Sequence, residues 1–127
     1  MAKILVIDDD PMMLDLYREI LTRVGHQVVI AENGVQGLAR ADRSPDLIVV
    51  DLMMPNLNGY EFVKQLRSLD GHATTPVIAA SSLSTGQWAL RAGADRFLPK
   101  PFRSAELITL IDELLSSRGG AATRTLS

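Results

Sequence analysis

Three aspartates, a serine and a lysine carry the chemistry this sequence can do. Asp8 and Asp9 follow the apolar stretch Ile4-Leu5-Val6-Ile7, and Asp51 ends a second one, Leu47-Ile48-Val49-Val50. Ser81 closes Val77-Ile78-Ala79-Ala80, and Lys100 comes just beyond Arg96-Phe97-Leu98. Carboxylates gathered in one crevice repel one another unless a cation intervenes. Oxygen ligands in an open, solvated cleft suit Mg²⁺, which keeps several waters and takes few carboxylates directly. A carboxylate beside such an ion is a usable nucleophile toward phosphorus. Phosphoryl transfer asks mainly for positioning and charge neutralisation, to which Lys100 brings an ammonium and Ser81 a hydroxyl. Taken singly, each has an ordinary explanation: a strand-end Asp or Ser caps a turn, and a Lys before Pro faces solvent. Five complementary groups at successive strand ends do not.

The elements that must position them alternate along the chain. Short runs of β-favouring apolar residues read as strands buried on both faces, as in parallel sheets. After the first strand, Asp10 is a helix N-cap and Pro11 suits the first turn. Met13, Leu16, Tyr17, Ile20, Leu21 and Val24 then form one apolar face, and Gly25 ends the helix. Val28-Val29-Ile30 is the second strand, and Asn33 caps a weak helix over Gly34–Asp42. Beyond Asp51, Pro55 forbids further pairing, and Asn58 with Glu61 marks the next helix start. Phe62, Val63 and Leu66 are its apolar stripe. The last helix carries Leu107, Ile108, Ile111, Leu114 and Leu115, with Ser104 as its cap. Strand and helix alternate five times, so an α/β fold is expected: a five-stranded parallel sheet with helices on both faces. Every strand then delivers its C-terminal end to one edge, where ligands sit in open α/β sheets.

Composition bounds the rest. At 127 residues, 46% hydrophobic and 22% charged, the chain reads as one globular domain. Residues 1–116 form it, and 117–127, small and polar, read as a disordered tail or the start of a linker. A net charge of −2 gives no electrostatic case for nucleic acid or an anionic membrane surface. There are no cysteines, which excludes disulfides and thiol chemistry. No apolar run approaches the ~20 residues that span a bilayer. With no signal-peptide pattern at the N-terminus, a cytoplasmic location is expected.

The chain resembles the receiver domain of bacterial two-component response regulators. The matching pieces are Asp8-Asp9, Asp51 with its M-P-x-L-N-G sequel, Ser81 after an apolar strand, A-G-A-D at 92–95, and Lys100-Pro101-Phe102. Short individually, these motifs match jointly in order and strand-end placement from Lys3 to Ser116. The resemblance implies a doubly wound, three-layer, flavodoxin-like fold with strand order 2-1-3-4-5. It implies that Asp51 accepts a phosphoryl group from a partner histidine kinase or phosphotransfer protein. Asp9, Asp51 and the Met53 backbone carbonyl would ligate Mg²⁺, with Asp8 reaching it through water. Ser81 would follow the phosphoryl oxygen and Phe97 would rotate behind it, relaying the change to the face of the fourth helix, fifth strand and last helix. Lys100 would pair with the phosphoryl group across a cis Lys100–Pro101 bond. Such a protein is a signalling switch rather than an enzyme, catalysing only its own phosphoryl uptake and slow autodephosphorylation. The output partner is not legible, and a phosphorylation-dependent dimer is compatible with the family. His26 and His72 match no phosphoacceptor position.

The sequence also departs from the family pattern. Ser82 stands where Ala is common. These 127 residues leave no room for an output domain, as expected of a stand-alone receiver or of a receiver excised from a longer regulator. The positions two beyond the acceptor and two beyond Ser81, which flank the hydrolytic water in the family, are Met53 and Leu83, neither able to orient it. Only ten residues, Ser82 to Arg91, separate Ser81 from the A-G-A-D turn. That leaves about two turns for the fourth helix, roughly 10 Å, with partner contacts shifted onto the fifth strand and last helix. Trp88 reads as a cover for the core whose fluorescence should report beryllofluoride at Asp51. Two rivals are weaker. A phosphohydrolase of the haloacid dehalogenase type wants a second acid where Met53 stands, and a pseudo-receiver would not keep Asp9, Asp51, Ser81 and Lys100 together.

Overall fold

The apolar runs become strands, and the residues after them turn outward into helices. The computed structural model describes residues 2–54, 57–82 and 86–126, with the side chains of 86–88 and 117–126 excepted. Pro55, Asn56 and Leu83, and the Trp88 side chain, therefore lie outside the described residues. In chain order the elements are β1 Lys3–Ile7, α1 Pro11–Arg23, β2 Gln27–Ala31, α2 Gly34–Arg40, β3 Leu47–Asp51, α3 Gly59–Arg67, β4 Val77–Ser81, α4 Gly86–Ala92, β5 Arg96–Pro99 and α5 Ser104–Leu126. The strands form one sheet in the order β2-β1-β3-β4-β5, all pairs parallel. This is the expected doubly wound α/β sheet, and β3, the Asp51 strand, lies at its centre.

Strand periodicity divides the core into two layers. Ile4, Val6, Val49, Ile78 and Ala80 face α1 and α5, meeting Leu14, Tyr17, Leu21, Leu107 and Ile111. Leu5, Ile7, Ile48, Val50, Val77 and Ala79 face the other way, onto Phe62, Val63, Leu66 and Ala89. All five residues of β3 and of β4 are buried, which is why their stretches read as unbroken apolar runs.

Several local expectations need correction. The buried face of α1 is Leu14, Tyr17, Ile20 and Leu21, while Leu16 and Val24 are exposed. Including Leu14 rotates the stripe away from both. The helix from Gly34 stops at Arg40, and a 3-10 turn follows at Ala41–Arg43. Ser104 is the first helical residue of α5 rather than its cap; the Glu106 carboxylate accepts from Arg103 N–H at 2.8 Å instead. The backbone of α5 is helical from Ser104 to Leu126. Asp10 and Asn58 do cap α1 and α3. The fourth helix is indeed short, seven residues from Gly86 to Ala92.

Candidate functional site

The parallel sheet gathers Asp8, Asp9, Asp51, Ser81 and Lys100 at its C-terminal edge, each just at or beyond a strand end. Asp8 is almost fully buried, at 1% exposure, and both its oxygens are engaged. One accepts from Asp10 N–H at 2.9 Å, the other from the Lys100 ammonium at 3.0 Å. Asp9 is exposed. Asp51 is 7% exposed, accepts from Met53 N–H at 3.2 Å, and lies 3.6 Å from Lys100 Nζ. The local backbone explains these poses. Asp51 is the last residue of β3, and Gly59 packs so tightly behind it that a Cβ there would sit 2.6 Å from the Asp51 carbonyl oxygen. Lys100 N–H donates to the Ser81 carbonyl at 2.8 Å, tying the β5 exit to the β4 end, and the Lys100–Pro101 bond is cis.

The charges do not balance. Three carboxylates meet one ammonium. Burial pushes the Asp51 carboxyl above the ordinary aspartate range; Lys100 opposes this, Asp8 adds to it, the Met53 N–H opposes, and Asp9 adds. Asp8, Asp9 and Asp51 can each offer an oxygen with all of these within 4.8 Å of one another. An all-oxygen set with surplus negative charge and one exposed member fits a hard divalent cation. Asp8 and Asp51 each also meet a backbone N–H and the Lys100 ammonium, the contacts on Asp51 being the longer, and Asp9 is the exposed member.

The remaining candidates are placed less uniformly. Ser81 is buried at the β4 end, whereas Ser82 is exposed. Phe97 stands opposite Ala79 in the sheet, half-buried and packed against the core layer that includes Ala89 of α4. It is therefore on the α4 side rather than in the cleft. His26 accepts from Ala2 N–H at 3.2 Å, and His72 contacts Thr75, both away from the cleft. Sequence reasoning missed Tyr17 as more than a core residue. It is 1% exposed, and burial, then Asp8 and Asp51, push its phenol well above the usual tyrosine range. Its signal was a phenol within an otherwise aliphatic stripe.

Comparison with known proteins agrees with this geometry. The family model described as response regulator receiver domain matches residues 4–112. The transcriptional regulatory protein CpxR of Klebsiella pneumoniae is 39% identical over 115 residues, 91% of this chain and 50% of its own length. The response regulator MprA of Mycobacterium sp. (strain KMS) is 41% identical over 116 residues, 90% of this chain and 50% of its own. The chain thus spans about half the length of the curated relatives it matches. Among solved structures, a CheY-like receiver domain protein from Methanospirillum hungatei has a TM-score of 0.88 at 27% identity, covering 95% of this chain and 98% of that one. The receiver domain of the sensor histidine kinase PA1611 from Pseudomonas aeruginosa has a TM-score of 0.85 at 28% identity, covering 91% and 98%, and carries a magnesium ion in its active-site cleft. Family, fold and acidic cleft coincide: the chain belongs to the response regulator receiver domains, the phosphorylation switches of two-component systems.

Proposed function

We propose that Asp51 is the phosphoacceptor of this switch and that a phosphohistidine on a kinase or phosphotransfer protein is its donor. The observation that carries the assignment is the central-strand position of Asp51, with Lys100 at 3.6 Å and the Asp8–Asp9 pair beside it. In the reaction an Asp51 carboxylate oxygen forms a bond to phosphorus as the phosphorus–nitrogen bond breaks. The histidine nitrogen keeps the bonding pair, and a ring protonated on its other nitrogen leaves as neutral imidazole, so no proton need come from the cleft. Asp9, Asp51 and the Met53 carbonyl would hold Mg²⁺, with Asp8 behind a water. Bound there, the ion would neutralise phosphoryl oxygens and orient the incoming group. Lys100 supplies a positive charge beside the acceptor, and Ser81 a hydroxyl at the neighbouring strand end. Exposed Met12 and Leu16 on α1 and Met53 beside Asp51 give the cleft an apolar rim on which a donor protein can seat.

Phosphorylation would be relayed through Ser81 and Phe97 to the α4–β5–α5 face, where a dimer partner or an output partner would read it. This chain would catalyse only its own phosphoryl uptake and slow loss. No described helix is long and apolar enough to cross a membrane, and the balance of charge supports no nucleic-acid contact by this chain. Intact mass after incubation with acetyl phosphate and Mg²⁺ tests the reading. One added phosphoryl group, abolished by Asp51→Asn, is the expected result. Full labelling of that variant at a site other than Asp8 or Asp9 would overturn it, and turnover of a generic phosphate ester would favour the phosphohydrolase.

A further inference from the structure

Beneath the cleft lies a side chain that the proposed chemistry does not use. α1 begins at the cleft, capped by Asp10, and helix side chains lean toward their own N-terminus. Tyr17 sits two turns below that cap, about 10 Å down the axis, and is 1% exposed. It leans up under the floor of the site. The charges of Asp8 and Asp51 reach its hydroxyl, which burial above all keeps protonated. Its ring meets Phe102, with centroids 5.5 Å apart and planes at 33°, a tilted aromatic pair within contact range.

Phe102 stands two residues after Lys100. On its other side Lys100 is anchored by its backbone N–H to the Ser81 carbonyl at 2.8 Å. The lysine is thus held between a backbone bond to β4 and an aromatic contact to α1. From between these anchors its ammonium reaches Asp8 at 3.0 Å and Asp51 at 3.6 Å. Toward the surface, Met13, Leu16, Ser82, Lys100, Pro101 and Phe102 line a cavity of about 220 Å³; on its inner side Phe102 packs against the core layer that contains Tyr17. The ammonium is a compact charge, and the turn sets the point from which its stem reaches both carboxylates.

We propose that Tyr17 is a positioning residue for phosphorylation: its ring, packed on Phe102, seats the turn from which Lys100 reaches the acceptor and the incoming phosphoryl group. This rests on the assignment of Asp51 and Lys100 made above. An aliphatic side chain at 17 would fill the core without offering Phe102 a flat face.

The test compares Tyr17→Leu, Tyr17→Phe and Phe102→Leu with the wild-type chain, measuring Mg²⁺ affinity and, separately, beryllofluoride affinity in saturating Mg²⁺. The two leucine variants should lose about tenfold or more in beryllofluoride affinity, since an ångström of misplacement is costly. Their Mg²⁺ affinity should not fall, because Asp9 and Asp51 sit at the ends of β1 and β3 rather than on the turn, and a withdrawn Lys100 leaves the carboxylates more negative. Tyr17→Phe should keep both. Should Tyr17→Leu not fold, Phe102→Leu carries the same comparison from the half-buried partner. Wild-type beryllofluoride affinity in the leucine variants, a parallel loss of Mg²⁺ affinity, or an equal loss in Tyr17→Phe would each overturn the role of Tyr17. A wild-type chain that binds no beryllofluoride would instead overturn the phosphoacceptor reading itself.

Discussion

Replacing Asp51 with asparagine should make this protein more stable at neutral pH even as it abolishes phosphorylation. The site stores repulsion. Carboxylate oxygens of Asp8, Asp9 and Asp51 lie within 4.8 Å of one another, and at an effective dielectric of about 20 a like-charge pair at that separation costs about 3.5 kcal/mol. Lys100, 3.6 Å from Asp51, returns about 4.6 kcal/mol on the same footing. Removing the Asp51 charge relieves its repulsion with Asp8 and with Asp9 and forfeits the Lys100 attraction. Asp9 is exposed, so solvent screens much of its share, and the expected net gain is about 1 kcal/mol, including relief of desolvation. For a domain of this size that is a rise of roughly 3–6 °C in Tm. The pH dependence has a definite sign. Burial, the largest cause, raises the folded-state pKa of Asp51 with smaller help from Asp8 and Asp9, against the opposing Lys100 and Met53 contacts. Its contribution to wild-type stability is therefore full below the unfolded value of about 3.9 and is lost as the pH rises through the folded value. The advantage of asparagine should be complete at neutral pH and shrink toward about pH 4. Thermal melts of both proteins by circular dichroism across that range, without divalent cations, make the measurement. An asparagine variant no more stable than wild type at neutral pH, or a gain that persists undiminished in acid, would refute the charge argument.

Three further outcomes follow from the same geometry. Asp9→Ala should weaken Mg²⁺ binding by about tenfold or more, or about 1.4 kcal/mol, by isothermal calorimetry; unchanged affinity would remove Asp9 from the ligand set. Met53, 54% exposed two residues beyond Asp51, cannot orient a water, so Met53→Asn should speed dephosphorylation several-fold, as should Leu83→Glu; decay of both at the wild-type rate would discard the polarity argument. Gly59→Ala would place its Cβ 2.6 Å from the Asp51 carbonyl oxygen and 2.7 Å from Leu52 Cα. These are backbone atoms with little room to yield, so a loss of about 1–3 kcal/mol in urea unfolding is expected, and wild-type stability would mean that the β3–α3 turn shifts freely.

Much of this was legible in one dimension because the signals are local. Unbroken apolar runs such as Leu47–Val50 can only be strands covered on both sides, and their alternation with helices commits the chain to a parallel sheet. A parallel sheet puts every strand's C-terminal end at one edge, so Asp8, Asp9, Asp51, Ser81 and Lys100 were bound to meet. The trimmed spacing after Ser81 likewise dictated a seven-residue α4. What the linear order could not decide depends on contacts across elements. Which face of α1 turns inward was settled by packing on β1 and α5, which buried Leu14 and left Leu16 and Val24 exposed. That Asp8 accepts from both Asp10 and Lys100 emerges only when residues 92 positions apart stand 3.0 Å from each other. The pairing of Tyr17 with Phe102 is of the same kind. Periodicity placed Tyr17 in the core and left Phe102 as part of the Lys100-Pro101-Phe102 motif; only the closing of β5 and its turn against α1 brought their rings together.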